Sequence, residues 1–178
     1  MTRKRWFGGA LGTICSVALF VPVSAGADLP STAKSRIVPF EGMAGVKLGM
    51  SKDQALRKWG KPDVCGRDEL GTEACSWRRS TPGQDEAAAV SFDGGEVCNV
   101  RIRAGYDFGS DEILITRLGS WKTVDGRGLG SDAMEIFEED GFLNTRHGVT
   151  TAFTPGTARA KTRIGFVSIY ERGCPRRQ

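Results

Sequence analysis

His147 is the single histidine of this 178-residue sequence. It lies in the turn-like stretch Asn144-Thr145-Arg146-His147-Gly148-Val149 and reads as an exposed loop residue, not a general base. Gly-x-Ser-x-Gly, His-Glu-x-x-His, a P-loop and a dinucleotide fingerprint are all absent. So are Cys-x-x-Cys and any His-Cys cluster, which argues against a zinc site. Asp107, Asp111 and Glu112 lack the spacing of a calcium loop and read as a solvated loop. The sequence therefore predicts no catalytic residue, no metal site, no cofactor and no enzymatic activity.

Charge of one sign is also scarce. The chain carries a net charge of +4, and three of those charges belong to Arg3, Lys4 and Arg5 at the start. The remainder of the chain is close to neutral, which argues against nucleic acid as a partner. Beyond the start no stretch is apolar enough to cross a bilayer. Aromatic residues make up only 8 % of the chain.

The start has its own pattern. The basic Arg3-Lys4-Arg5 precedes a largely apolar run from Gly8 to Val21, and small residues come next at Ser24, Ala25, Gly26 and Ala27. That layout predicts a signal peptide over residues 1–27 and an exported protein, secreted or associated with the periplasm or cell envelope. Four cysteines lie beyond it: Cys65, Cys75, Cys98 and Cys174. An even number in an exported chain predicts disulfides, with three pairings open. Pairing Cys65 with Cys75 would close a short loop, and Cys98 with Cys174 a long one. The chain-entropy model puts these at about 3 and 4.5 kcal/mol.

Residues 28–44 read as a flexible lead-in with an edge strand at 36–40. Next comes "GVKLGMSKDQALRKWGKPD", Gly45 to Asp63. Ser51 and Gln54 form a capping box, Ala55, Leu56 and Trp59 share a helical face, Gly60 closes the helix and Pro62 forbids continuation. A second stretch, "GRGLGSDAMEIFEEDG", repeats the plan 81 positions later, with Asp132, Glu135, Ile136, Phe137 and Gly141 in the corresponding places. After each helix the pattern turns to strands. Candidates are 74–80, 87–92 and 97–103, the latter two flanking the hairpin signal "DGGE", then 113–118, 149–153 and 163–171. The expected fold is α+β, one compact domain of two tandem helix-plus-antiparallel-strand units, 45–112 and 113–178. They would share a sheet, with both helices packed on one face and the other face open.

The residues "GMSKDQALRKWG", with Cys65 and Cys75 after them, resemble the β-lactamase-inhibitory-protein-like family. The ending Gly60-Lys61-Pro62-Asp63 is similar to that of small outer-membrane-assembly lipoproteins. The resemblance implies a disulfide-closed loop after the helix, a tandem α+β fold, an exported location and work done by binding.

The expected function is a non-enzymatic binding domain that engages a protein or cell-envelope component through the open sheet face. The alternatives are a structural envelope protein without a dedicated ligand and, less prominently, a hydrolase inhibitor. Trp, Tyr and Arg dominate binding hot spots, so the candidate contact residues are Trp77, Arg78, Arg101, Arg103, Trp121 and Tyr170. Trp59 is expected in the core.

Overall fold

A computed structural model describes residues 29–30, 36–67, 72–81, 84–106, 113–114, 118–156 and 163–174. The signal-peptide segment 1–27 and the acidic residues Asp107, Asp111 and Glu112 lie outside the described residues.

A seven-stranded antiparallel sheet dominates the structure. Its strands are β4 (Val64–Arg67), β5 (Glu73–Thr81), β6 (Gln84–Asp93), β7 (Glu96–Arg103), β10 (Leu143–Arg146), β11 (Val149–Pro155) and β12 (Ile164–Glu171). Across the sheet they run β10-β11-β12-β7-β6-β5-β4, so β12 returns to pair with β7 at the centre. A three-stranded meander precedes the sheet, formed by β1 (Ile37–Val38), β2 (Gly42–Met43) and β3 (Val46–Lys47). β8 (Gly105–Tyr106) and β9 (Ile113–Leu114) make a separate pair. The helices α1 (Lys52–Trp59) and α2 (Ala133–Asp140) have eight residues each.

This architecture corrects the α+β expectation. The chain is mostly β, because the strands of 73–103 run longer than their alternation suggested and residues 36–47 add a sheet of their own. Ile37, Met43 and Val46 are buried there, so this part of the lead-in is core structure and not a flexible approach. Nor does the structure support a tandem repeat. Ala55 and Ile136 are both buried, but Leu56 packs against the core while Phe137 is 54 % exposed. α1 lies against β3 and β7, and α2 against β11. Four strands come after α1 before the separate β8–β9 pair, and three come after α2. The matching phrases are two helix starts obeying the same capping chemistry, which short helices of any origin share.

That chemistry is explicit. Gln54 N donates to Ser51 Oγ at 3.3 Å, and Ser51 N donates to Gln54 Oε1 at 3.0 Å. In α2, Met134 N and Glu135 N both donate to Asp132 Oδ1, at 2.9 and 3.3 Å. Helices this short do not persist alone, so each depends on the sheet below it. Trp59 of α1 meets Trp77 edge-on at 5.2 Å between ring centroids and Trp121 at 5.6 Å. This cluster joins helix, sheet and the segment before α2.

Two hairpins explain conspicuous turn residues. Gly94 and Gly95 take φ of 56° and 87° between β6 and β7. His147 and Gly148 take 49° and 82° between β10 and β11. Two successive positive φ values give the tight turn whose twist matches that of the strands. Gly42 is constrained differently: a Cβ there would stand 1.9 Å from the carbonyl oxygen of Val46. Gly42→Ala is expected to cost about 2 kcal/mol by forcing the β2–β3 pair apart, read as a lower urea midpoint. An unchanged midpoint would refute the close approach.

The disulfides are Cys65–Cys75 and Cys98–Cys174. The first joins residues directly opposite on β4 and β5. The second starts at Cys98, the extra residue of a bulge where Phe92 pairs Val97 but Ser91 pairs Asn99. It reaches the turn after β12, so it fastens one end of the β7–β12 seam. Such crosslinks fit maturation in an oxidising compartment, in agreement with export.

Candidate functional site

The strand registers sort the sheet residues into two faces. Trp77, Ala88, Ile102 and Val167 form one row and Cys75, Val90, Val100 and Ile169 the next, all directed into the core beneath α1 and α2. The rows between them point the opposite way. One runs Val64, Ser76, Ala89, Arg101, Ser168, Ala152, Leu143, and its neighbour runs Arg78, Ala87, Arg103, Phe166, Thr154. The buried residues of both helices belong to the core on the first side, and no described helix packs on the second.

The second face carries a hollow. Its short side chains, Ala89, Ser91, Ala152 and Ser168, are buried without belonging to the core cluster. A hollow of about 580 Å³ opens on this face, lined by Ser76, Arg78, Ala87, Ala89, Arg101, Arg103, Thr154 and Phe166. Alanine at 87 and 89 is what leaves the space, since each stands where a larger residue would fill it.

Three of the predicted contact residues, Arg78, Arg101 and Arg103, thus line one hollow. Arg101 and Arg103 sit two apart on β7, with Cα atoms about 7 Å apart by strand geometry. Arg78 is two strands from Arg103, about 10 Å away. No carboxylate lines the hollow among the described residues, although Arg101 and Arg103 do have interactions with neighbours of their own. Arg78 is fixed at the backbone, where its N–H donates to the Asp63 carboxylate. Asp63 N in turn donates to Ser76 O at 2.9 Å.

Trp77 and Trp121 are corrected to core residues. They are 0 % and 1 % exposed, within the tryptophan cluster around Trp59, and cannot touch a partner. Tyr170 is on the open face but nearly buried, in the row of Ser91 and Asn99, and does not line the hollow. In that row Asn99 Oδ1 is buried without a hydrogen-bond partner. The sequence reading missed Ser76, Ala87, Ala89, Thr154 and Phe166 as hollow residues. For Phe166 the signal was present, since alternation along a strand over 163–171 sets it on one face with Ser168 and Tyr170.

A smaller hollow of about 150 Å³ lies on the helix side between Phe40, Asp125, Ile136, Asn144 and Phe153. The hydroxyl of Thr123 donates to the Asp125 carboxylate and holds its pKa below the usual value, helped by Arg127 at 2.9 Å. Burial pushes the nearby Lys122 pKa down; its Nζ donates to Leu129 O at 2.6 Å. These bonds brace the loop before α2.

No family model matches the chain, and no curated protein matches it. Similar solved structures include a cysteine-rich secretory protein from Staphylococcus aureus subsp. aureus Mu50, at 12 % identity and a TM-score of 0.46. That alignment covers 81 % of this chain and 50 % of the other. Another is an extracellular protein containing a SCP domain from Bacillus anthracis str. Ames, at 9 % identity and a TM-score of 0.40, covering 70 % and 44 %. The chain spans about half the length of these proteins. The mostly-β architecture overturns the resemblance drawn from Gly45 to Cys75.

Proposed function

We propose that this chain is an exported, non-enzymatic binding domain that engages a protein or cell-envelope component through the open face of its seven-stranded sheet. The observation that carries the reading is the hollow itself: three arginines beside alanine and serine. The exposed His147 occupies a left-handed turn position, which supports a structural part for the one residue best suited to acid–base work.

The test compares charge reversal on the two sides of the sheet. The mature chain is immobilised and exposed to culture medium and envelope extract from its native source. Arg101→Glu with Arg103→Glu is expected to abolish retention of whatever the parent holds. Arg57→Glu, on the exposed side of α1, is expected to leave it intact. Equal retention by all three proteins, or none by the parent, would overturn the reading.

A further inference from the structure

The seven-stranded sheet ends on β10, which pairs only with β11. The hairpin register fixes which of its backbone groups are left over. The turn at His147 and Gly148 makes Arg146–Val149 a hydrogen-bonded pair, and such pairs recur at every second residue. Asn144–Thr151 and Phe142–Phe153 are therefore the next ones, and Phe153 N does donate to Phe142 O at 2.9 Å. Leu143 and Thr145 consequently turn their N–H and C=O groups outward, where no described residue meets them. An edge of this kind is ordinarily blunted by lysine, proline or a bulge. Leu143–Arg146 has none of these.

Apolar side chains flank the edge on both sides of the sheet. Leu143 is 65 % exposed on the open side. On the helix side Phe137 and Met134 are exposed, one turn apart on α2. The ring of Phe137 meets that of Phe142 at 5.1 Å, so it leans toward β10 and away from the middle of the sheet. Charge is divided along the same edge. Glu138 stands exposed in the last turn of α2, which contains no basic residue, and its carboxylate adds to the negative end of the helix. Arg146 is exposed at the far end of β10, about 13 Å from Phe142. No described residue pairs with either charge.

We infer that β10 pairs with β10 of a second copy, antiparallel about a two-fold axis that passes Asn144 normal to the sheet. In this register Leu143 of each copy exchanges backbone bonds with Thr145 of the other, and every outward group of the strand is used. Registers centred on Leu143 or on Thr145 leave one of those residues unpaired. The same register sets Arg146 of one copy opposite Phe142 of the other, on the helix side, beside Phe137 and the acidic end of α2. Because α2 packs on β11, the two helices lie three strand spacings apart, about 14 Å. Each helix with its side chains reaches about 5–6 Å from its axis, and Phe137 and Met134 of both copies close the gap. Backbone groups, apolar surface and charge each find their complement on the same edge turned by half a rotation, which is the condition for a closed dimer. The seam lies three strands away from Arg101 and Arg103 on β7, so the dimer goes beyond the binding-face reading and does not depend on it.

Sedimentation equilibrium of the full mature chain, with both disulfides formed, is expected to show monomer and dimer exchanging between about 1 and 500 µM. Thr145→Pro removes an outward N–H and none of the bonds to β11, a place where an edge strand tolerates proline. It is expected to weaken dimerisation at least tenfold, since each copy loses a hydrogen bond across the seam. Leu143→Lys is expected to do the same by setting charge on the edge. Val64→Lys, on the opposite edge strand β4, is expected to leave the dimer unchanged. Arg146→Glu is expected to weaken it about tenfold, and adding Glu138→Arg to restore it to within about threefold of the parent. Amide hydrogen exchange at Leu143 and Thr145 is expected to slow as the concentration rises. Denaturation midpoints identify any variant that fails to fold, and Leu143→Lys, at an exposed position, then carries the result.

A monomer throughout that range overturns the inference. So does a dimer that Thr145→Pro and Leu143→Lys leave intact, or one that Val64→Lys breaks, which would place the contact at β4. A dimer weakened by Arg146→Glu and not restored by Glu138→Arg has another register, and the inference fails with it. Protection of the Leu143 and Thr145 amides only when envelope extract is added would give the edge to a foreign strand, and overturns it as well.

Discussion

Replacing Cys98 and Cys174 together by serine is expected to lower the unfolding free energy by about 4.5 kcal/mol in the chain-entropy model. The magnitude comes from the 76-residue separation of the pair, because a long loop gives the unfolded chain most freedom when released. A typical domain is stable by only about 5–15 kcal/mol, so the loss removes from about a third to nearly all of that stability. The Cys65→Ser, Cys75→Ser variant opens a loop with a separation of only 10 and is expected to lose about 2.7 kcal/mol. Urea unfolding of both double variants, tracked by tryptophan fluorescence, reads the difference. The location sharpens the expectation. Cys98 and Cys174 fasten one end of the β7–β12 seam, where the strands before and after α2 meet. If the short-loop variant proves the weaker of the two, that seam does not depend on its crosslink.

Trp77→Ala is expected to cost about 4 kcal/mol, in the range for deleting a large buried aromatic. Trp77 is completely buried on β5, against Trp59 of α1, and α1 is too short to hold without that contact. The helix is therefore expected to fray together with the loss of packing, visible as lost far-ultraviolet helical signal before the sheet melts. A second variant separates volume from polarity. Trp77 Nε1 is buried without a hydrogen-bond partner, a cost that Trp77→Phe removes. Trp77→Phe is expected to lose less than half as much as Trp77→Ala. Losses as large for Phe as for Ala would mean that the indole nitrogen contributes a bond.

Local chemistry was legible wherever a few neighbouring residues decide the outcome. Ser51 with Gln54, and Asp132 with Glu135 three residues on, marked two helix starts because capping needs only the backbone donors within one turn. Gly94 and Gly95 marked a hairpin because no other residue takes both positive φ values as readily. The alternation of 97–103 placed Arg101 and Arg103 on one face, since successive strand residues must point to opposite sides. Trp77 was harder. It was read as a contact residue beside Arg78, although neighbours on a strand point to opposite faces, and which face lay under the helices depended on how the strands assemble. The same gap led two similar helix starts to be read as two copies of a unit, when capping signals say nothing about the strands beyond them.

The sequence by itself determined the oxidisable cysteine set, the helix and hairpin positions and the alternation that separates Arg101 and Arg103 from Val100 and Ile102. All of these are fixed by covalent identity and by contacts within a turn or a strand. Only the tertiary structure decided that Arg78 joins Arg101 and Arg103 beside Ala87 and Ala89, and that Trp77 and Trp121 lie in the core. Those outcomes depend on strand order and register. These pair residues far apart in the chain by burying their combined apolar surface, a sum over the whole sheet that no local stretch contains.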